Sequence, residues 1–247
     1  MSLDLSGQVA LVTGAAKRLG RALALRLAQH GAFVFVHYKN SQAAAEAVVS
    51  EIKGAGGDAI VLQGDLTSAE SPYRMMATIA EQKSRLDVLI NNVGNYMLTP
   101  VEESTPEEWR ETLEANLIAP FALVREGLSL FPSQGGNIVN IGYAGVELIR
   151  ANVNATAYQA SKTGLLVLTK SLAQRFGSRG LRVNMLSPGQ LENSVDLPAP
   201  NTIDDVIPLG RAGRLFEIAD AMDFVLANDY ITGTNIDIAG GYLPPRD

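Results

Sequence analysis

Seven short apolar runs recur along the chain, with longer stretches of helical spacing between them. They are VALVTG (9–14), FVFVHY (33–38), AIVLQGD (59–65), DVLINN (87–92), NIVNI (137–141), LRVNML (181–186) and NIDIAG (235–240). Several are nearly unbroken, the pattern of strands buried on both faces. Between them, LGRALALRLAQHG, SQAAAEAVVSEIKGAGG and SPYRMMATIAEQKS carry apolar residues three or four apart and stop on a Gly or polar residue. Strand–helix–strand units repeated in this way require right-handed crossovers and a parallel sheet. The expected fold class is α/β: three layers, with a seven-stranded parallel sheet and helices on both faces.

Nothing divides this pattern. The 247 residues, 47% hydrophobic and 19% charged, suit one well-filled domain over 1–247. There is no Pro/Ser-rich linker, charge block or period of about 20–50 residues. A net charge of −6 gives no general attraction to nucleic acid or anionic membrane. With no cysteine, disulfides, thiol catalysis and thiolate metal sites are excluded. Two histidines, His30 and His37, are too few for most His-rich metal sites, so no metal is expected. No apolar run approaches the ~18 residues of a membrane span. The opening MSLDLSGQVALVTG lacks the basic and long apolar regions of a signal peptide, so a cytoplasmic location is expected.

The first strand runs into Thr13-Gly14-Ala15-Ala16-Lys17-Arg18-Leu19-Gly20 and then a helix. Such a turn brings backbone N–H groups to a pyrophosphate, although only Gly14 and Gly20 of a full G-x-G-x-x-G are present. After the second strand, an acidic residue would bind the ribose 2′-hydroxyl of NAD. The chain instead reads His37-Tyr38-Lys39-Asn40-Ser41, with Lys17 and Arg18 facing the same region. Cations and a hydroxyl suit a 2′-phosphate, so the expected cofactor is NADP(H). Asp65-Leu66 ends the third strand, where the acid can meet an adenine amino group. Asn91-Asn92-Val93-Gly94 ends the fourth, where small residues let a ribose lie against backbone. The stretch 190–214, rich in Pro, Asn and Asp, follows the sixth strand at the ligand-binding edge and reads as a lid over a substrate pocket.

In this order, TGAAKRLG (13–20), Asp65, NNVG (91–94), Asn116, YQASK (158–162), SPG (187–189) and ITGTNIDIAGG (231–241) resemble the short-chain dehydrogenase/reductases nearly end to end. The resemblance implies a Rossmann-type fold, a nicotinamide cofactor and a homotetramer or homodimer. TGAAKRLG with HYKNS resembles the pteridine reductases. Overall length and PLGRAGRLFEIADAMDFVLA resemble the 3-oxoacyl-acyl-carrier-protein reductases.

By that resemblance Tyr158 is the general acid, protonating a carbonyl oxygen as NADPH delivers hydride to the carbon. A free tyrosine has a pKa near ~10. Lys162, one helical turn on, puts a cation on the same face and lowers it. Lys162 would also hold the ribose hydroxyls of the nicotinamide. Asn116, in a helical segment over 109–131, is implied to bend that helix and to hold a water that relays protons. Pro188, Gly189 and Leu191 would line the nicotinamide, with Asn193 in the usual place of a threonine.

The family serine is missing. Matching strands puts Tyr143 there, after Gly142 and fifteen residues before Tyr158; counting back the usual thirteen reaches Gly145. Three readings follow. Tyr143 supplies the hydroxyl from a longer, rigid arm, which favours a small or flat substrate. Another hydroxyl, such as Thr156, enters. Or the chain binds NADP(H) as a sensor or scaffold and reduces poorly or not at all. For a substrate, the expectation is a small-molecule ketone, a pterin or a carrier-bound acyl group. An acidic carrier would need a basic patch. Arg125, Arg175 and Arg179 are available, while the lid carries Asp196, Asp204 and Asp205.

Overall fold

The computed structural model describes residues 3–194, 197–199 and 202–243. Strands β1 (Val9–Val12), β2 (Phe33–Tyr38) and β3 (Asp58–Gln63) alternate with α1 (Arg18–Gln29) and α2 (Gln42–Gly54). Next come α3 (Ser71–Lys83), β4 (Val88–Asn91), α4 (Pro106–Leu113), α5 (Ala119–Gly127) and β5 (Gly136–Ile141). The chain continues through α6 (Thr156–Phe176), β6 (Leu181–Pro188), α7 (Ile203–Val206), α8 (Leu215–Ala227) and β7 (Asn235–Ile238). The strands form one seven-stranded sheet in the order β3-β2-β1-β4-β5-β6-β7, and every pairing is parallel. The expected Rossmann-type sheet is therefore present. Its order reverses between β1 and β4, and ligands bind at the carboxyl edge of such a switch point.

Side-chain alternation along each strand sends residues into two cores. Ala10 and Val12 of β1 pack with Leu23 and Leu27 of α1 and with Ile218 and Met222 of α8. Val9 and Leu11 face Met75 and Ile79 of α3 and Leu123 of α5. Both faces are thus covered, and each fully buried aliphatic side chain contributes about 1.5–3 kcal/mol. Among the described residues, no helix is long and apolar enough to cross a membrane.

The observed strands β3, β4 and β7 end one or two residues away from the expected runs, and three further departures bear on the site. β1 stops at Val12, before Gly14 turns the chain at a φ of +63°. β6 runs two residues beyond 186, because Ser187 and Pro188 pair with Asp237 and Ile238. The helical segment expected over 109–131 is broken: a π-helical turn, Glu114–Ile118, separates α4 from α5. Asn116 sits in that turn, and Pro120, which lacks an N–H, opens α5.

Residues 190–214 leave the carboxyl end of β6 and are stapled at both ends. Leu191 bridges Gly213 in parallel, and Leu209 N–H donates to Gly240 O at 3.0 Å. Asp204 and Asp205 lie in the first turn of α7; Asp196 lies outside the described residues.

Candidate active site

The turn after β1 is built around two glycines. Gly14 has positive φ, and a Cβ on Gly20 would sit 2.2 Å from Gly14 O and 2.6 Å from the Asn92 amide nitrogen. Asn92 Nδ2 donates to Thr13 O at 2.9 Å. Thr13 Oγ1 accepts from the N–H groups of Asn92 and Val93 at 2.9 and 3.0 Å. Gly14 N–H donates to His37 Nδ1 at 2.9 Å, so the imidazole proton is on Nε2, which faces Gly64 O at 3.1 Å. Burial pushes the His37 pKa down to about 4, and the ring is neutral. Four strand ends are thereby fastened together beneath α1.

That cradle fits a dinucleotide phosphate. The residue before α1, Lys17, makes no side-chain cap, so the first N–H groups of the helix keep their donor capacity. Lys17 and Arg18 are exposed, and Arg18 takes a left-handed φ of +49°. Leu19 is buried, so it offers the site only its backbone.

Where the adenosine is expected, Tyr38 is buried while Lys39 and Asn40 are exposed and Ser41 is half-buried. Lys39 Nζ lies 2.9 Å from Asp65 Oδ2, so two residues expected to serve the phosphate and the adenine separately are paired with each other. Burial works to raise the Asp65 carboxyl, but Thr67 and Lys39 hold it at about 2. Leu66 is buried in the core beside α3, again leaving only backbone for a ligand.

Helix α6 carries Tyr158, Ser161 and Lys162 at the carboxyl edge of the sheet. Lys162 is 2% exposed, and its ammonium donates to Ile141 O at 2.8 Å. Burial lowers its pKa to about 8. Its Nζ stands 5.8 Å from the centre of the Tyr158 ring. A Cβ on Gly94 would stand in van der Waals contact with that nitrogen, at 3.4 Å, so the loop after β4 passes close by the ammonium. The Asn116 amide reaches across from the π-helical turn. Its Oδ1 accepts from Asn95 N–H at 2.7 Å, and its Nδ2 donates to Asn95 O at 3.1 Å and to Ser161 Oγ at 3.0 Å. Ser161 Oγ donates in turn to Tyr158 O at 2.6 Å. This chain clamps the π-helical turn, the loop after β4 and the start of α6.

Three tyrosines meet here. The Tyr96 ring contacts Tyr158 edge-on with centroids 4.8 Å apart, and Tyr143 lies 5.8 Å from Tyr158 at a 46° tilt. The Tyr143 hydroxyl has the side chains of Thr163 and Gln159, on α6, as hydrogen-bonding neighbours, and burial raises its pKa. It is therefore directed toward the helix. The other candidate hydroxyl, Thr156, donates to Asn152 O at 2.7 Å. Gly142 has no room for a side chain: a Cβ would meet Ser187 Oγ at 2.4 Å. Gly145 N–H is held by Asp237 Oδ2 at 2.9 Å.

Around the residues expected to line the nicotinamide, Ala144 N–H donates to Pro188 O at 2.9 Å, and Gly189 packs so closely on Ala239 that a Cβ would lie 2.8 Å from its Cα. Leu191 is buried, and Asn193 lies in the turn closed by Ser194 N–H on Leu191 O. Gln190 Oε1 is a buried oxygen without a partner, an acceptor suited to the amide of a carboxamide ring.

Tyr96, Ser161 and His37 escaped the sequence reading. His37 had a visible signal, a polar residue inside an apolar strand. Tyr96 and Ser161 had none. Arg175 and Arg179 lie at the far end of α6 and beyond it, about 25 Å along the axis from Tyr158 at ~1.5 Å per residue.

Comparison with known proteins is consistent with this arrangement. A family model described as Enoyl-(Acyl carrier protein) reductase matches residues 14–243. The 3-oxoacyl-[acyl-carrier-protein] reductase of Synechocystis sp. is 37% identical over 246 residues, covering 97% of this chain and 98% of its own. Among solved structures, the angucycline C-6 ketoreductase LanV with bound NADP superposes with a TM-score of 0.88 at 32% identity, over 98% of this chain and 97% of its own. A blue fluorescent protein from a metagenomic library, in complex with NADPH, gives a TM-score of 0.90 at 30% identity, over 96% and 98%.

Proposed function

The chain belongs to the short-chain dehydrogenase/reductase family, and from that premise we propose that it is an NADPH-dependent reductase of a small-molecule ketone, with Tyr158 as general acid. The observation that carries this reading is Lys162. A buried ammonium held by one carbonyl, with no carboxylate beside it among the described residues, is costly to keep for packing alone. Its place next to the Tyr158 ring gives the cost a use.

NADPH, when bound, supplies the hydride. Gly14, Gly20 and the uncapped start of α1 would hold its pyrophosphate, and Lys17, Arg18, Lys39, Asn40 and Ser41 would meet its 2′-phosphate. Asp65 and the backbone of Leu66 serve the adenine. Asn92, Val93 and Gly94 leave room for the ribose, and Pro188, Gly189, Leu191 and Asn193 border the ring. Tyr158 gives its proton to the carbonyl oxygen, and the Lys162 charge favours the phenolate left behind. Asn116 holds the start of α6 in register with the loop after β4.

Tyr143 contributes an aromatic wall rather than the serine hydroxyl, because its own hydroxyl faces Thr163 and Gln159. Tyr158 is then the donor to the substrate oxygen among the expected catalytic side chains, and turnover is slower by about 10²–10³ than with a second donor. The same observation favours a second reading, an NADP(H)-binding protein with little turnover. A panel of ketones, dihydropterins and 3-oxoacyl thioesters followed by loss of NADPH absorbance tests both. Turnover that Tyr158→Phe abolishes while NADPH still binds supports the reductase. Tight NADPH binding with no turnover on any of them supports the second reading.

A further inference from the structure

We propose that the site selects a flat fused-ring ketone, held against the Tyr96 and Tyr143 rings, over an open-chain 3-oxoacyl thioester. The proposal rests on the reductase reading for the fate of the ligand, though not for its binding.

A carbonyl within hydrogen-bond reach of the Tyr158 hydroxyl brings the rest of its molecule against the two rings that touch Tyr158. Aromatic rings bind one another edge-to-face or offset, and the gain exceeds that from buried area alone. The Tyr143 ring is fixed for this role by its neighbours Thr163 and Gln159 and by its packing beside Val146 and Leu165.

The mouth of the site extends the same chemistry. Tyr96, Leu98 and Val101 follow β4; Leu148, Ile149 and Val153 follow β5; all six are exposed. Val101 N–H donates to Val153 O at 2.9 Å, which joins the two segments into one rim. Glu147 and Arg150 are the charged side chains over 146–153, and 96–101 has none. Ile149 is 75% exposed at a left-handed φ of +44°, a conformation that a β-branched residue rarely adopts. A ligand that covers this side chain would offset both its exposure and its strained backbone. A basic patch for an acidic carrier is not supplied here by Arg175 or Arg179, which lie at the other end of α6.

The test is calorimetric titration of the NADP⁺-loaded protein with β-tetralone and with acetoacetyl N-acetylcysteamine, alongside initial rates with NADPH. β-Tetralone is expected to bind about tenfold more tightly. In Tyr96→Ala the ratio of the two affinities falls by about fivefold or more, and Tyr96→Phe, which keeps the ring, restores it. Equal affinities, an unchanged ratio in Tyr96→Ala, or no binding of β-tetralone overturns the proposal. So does a change of oligomeric state in Ile149→Ser with β-tetralone binding intact, since the rim would then be a contact between copies. Selective binding of β-tetralone without NADPH oxidation would keep the ring preference and, with no turnover on the ketone panel, count against the reductase reading. Oxidation driven equally by the thioester would do the reverse.

Discussion

Lys162 Nζ donates a 2.8 Å hydrogen bond to Ile141 O, the carbonyl of the last residue of β5. The bond crosses from helix to sheet and holds the ammonium where solvent does not reach. Burial lowers its pKa to about 8 from an ordinary 10.5. The folded state thus binds fewer protons than the unfolded state between those values. The contribution of this group to stability is least favourable below about 8 and improves as pH rises toward 10.5. Catalysis follows the opposite trend, because it uses the cation. The kcat/KM profile of the free enzyme is expected to fall above pH about 8. A flat profile to pH 10 would remove Lys162⁺ from the chemistry.

Lys162→Met separates the two effects. It is expected to cost about 10²–10⁴ in kcat/KM while leaving Tm equal or higher, since a buried charge is replaced by an apolar chain of similar length. A large fall in Tm would mean that the lysine is structural.

Tyr158→Phe removes one oxygen and keeps the ring contacts with Tyr96 and Tyr143. Expected is a loss of about 10²–10⁴ in kcat with NADPH affinity unchanged. Retained turnover would assign the proton to another group.

Tyr143→Phe asks where the neighbouring hydroxyl acts. Directed toward Thr163 and Gln159, it contributes little to kcat, and a loss of no more than about threefold is expected. A loss of 10²–10³ would instead show it on the substrate oxygen.

Gly20→Ala tests the cradle. The added carbon would lie 2.2 Å from Gly14 O, so the turn must open, at a cost of about 1–3 kcal/mol. NADPH binding, read by fluorescence titration, should weaken by about 5- to 150-fold, the change that corresponds to that cost. Normal binding would place the dinucleotide elsewhere.

Lys39→Ala is expected to raise the KM for NADPH about tenfold and leave that for NADH unchanged, since a charge-assisted bond to the 2′-phosphate is lost. Stability should change by less than about 1 kcal/mol, because the ion pair with Asp65 is half exposed. An equal effect on both cofactors would contradict the role of Lys39.

The apolar runs were enough to place all seven strands, because burial on both faces leaves a local signature. Their ends were harder to read: Gly14 ends β1 through its φ, and pairing with β7 lengthens β6. The break in the helix near Asn116 had no periodic mark, since a π-helical turn adds one residue without altering composition. Tyr158 and Lys162 were visible as a four-residue spacing. Tyr96 was not, because nothing in its surroundings distinguishes a loop tyrosine from a site wall.

By itself, then, the sequence determined the parallel α/β sheet, the glycine turn after β1 and the pairing of Tyr158 with Lys162 on one helix face. Each depends on residues near one another in the chain. Only the tertiary structure decided which groups those residues meet. It turned the Tyr143 hydroxyl toward α6, set Lys39 against Asp65 across neighbouring strands, and put the Lys162 ammonium on Ile141 O. Such partners are chosen by strand register and helix crossing. Both come from the packing of the whole core, and local spacing does not encode them.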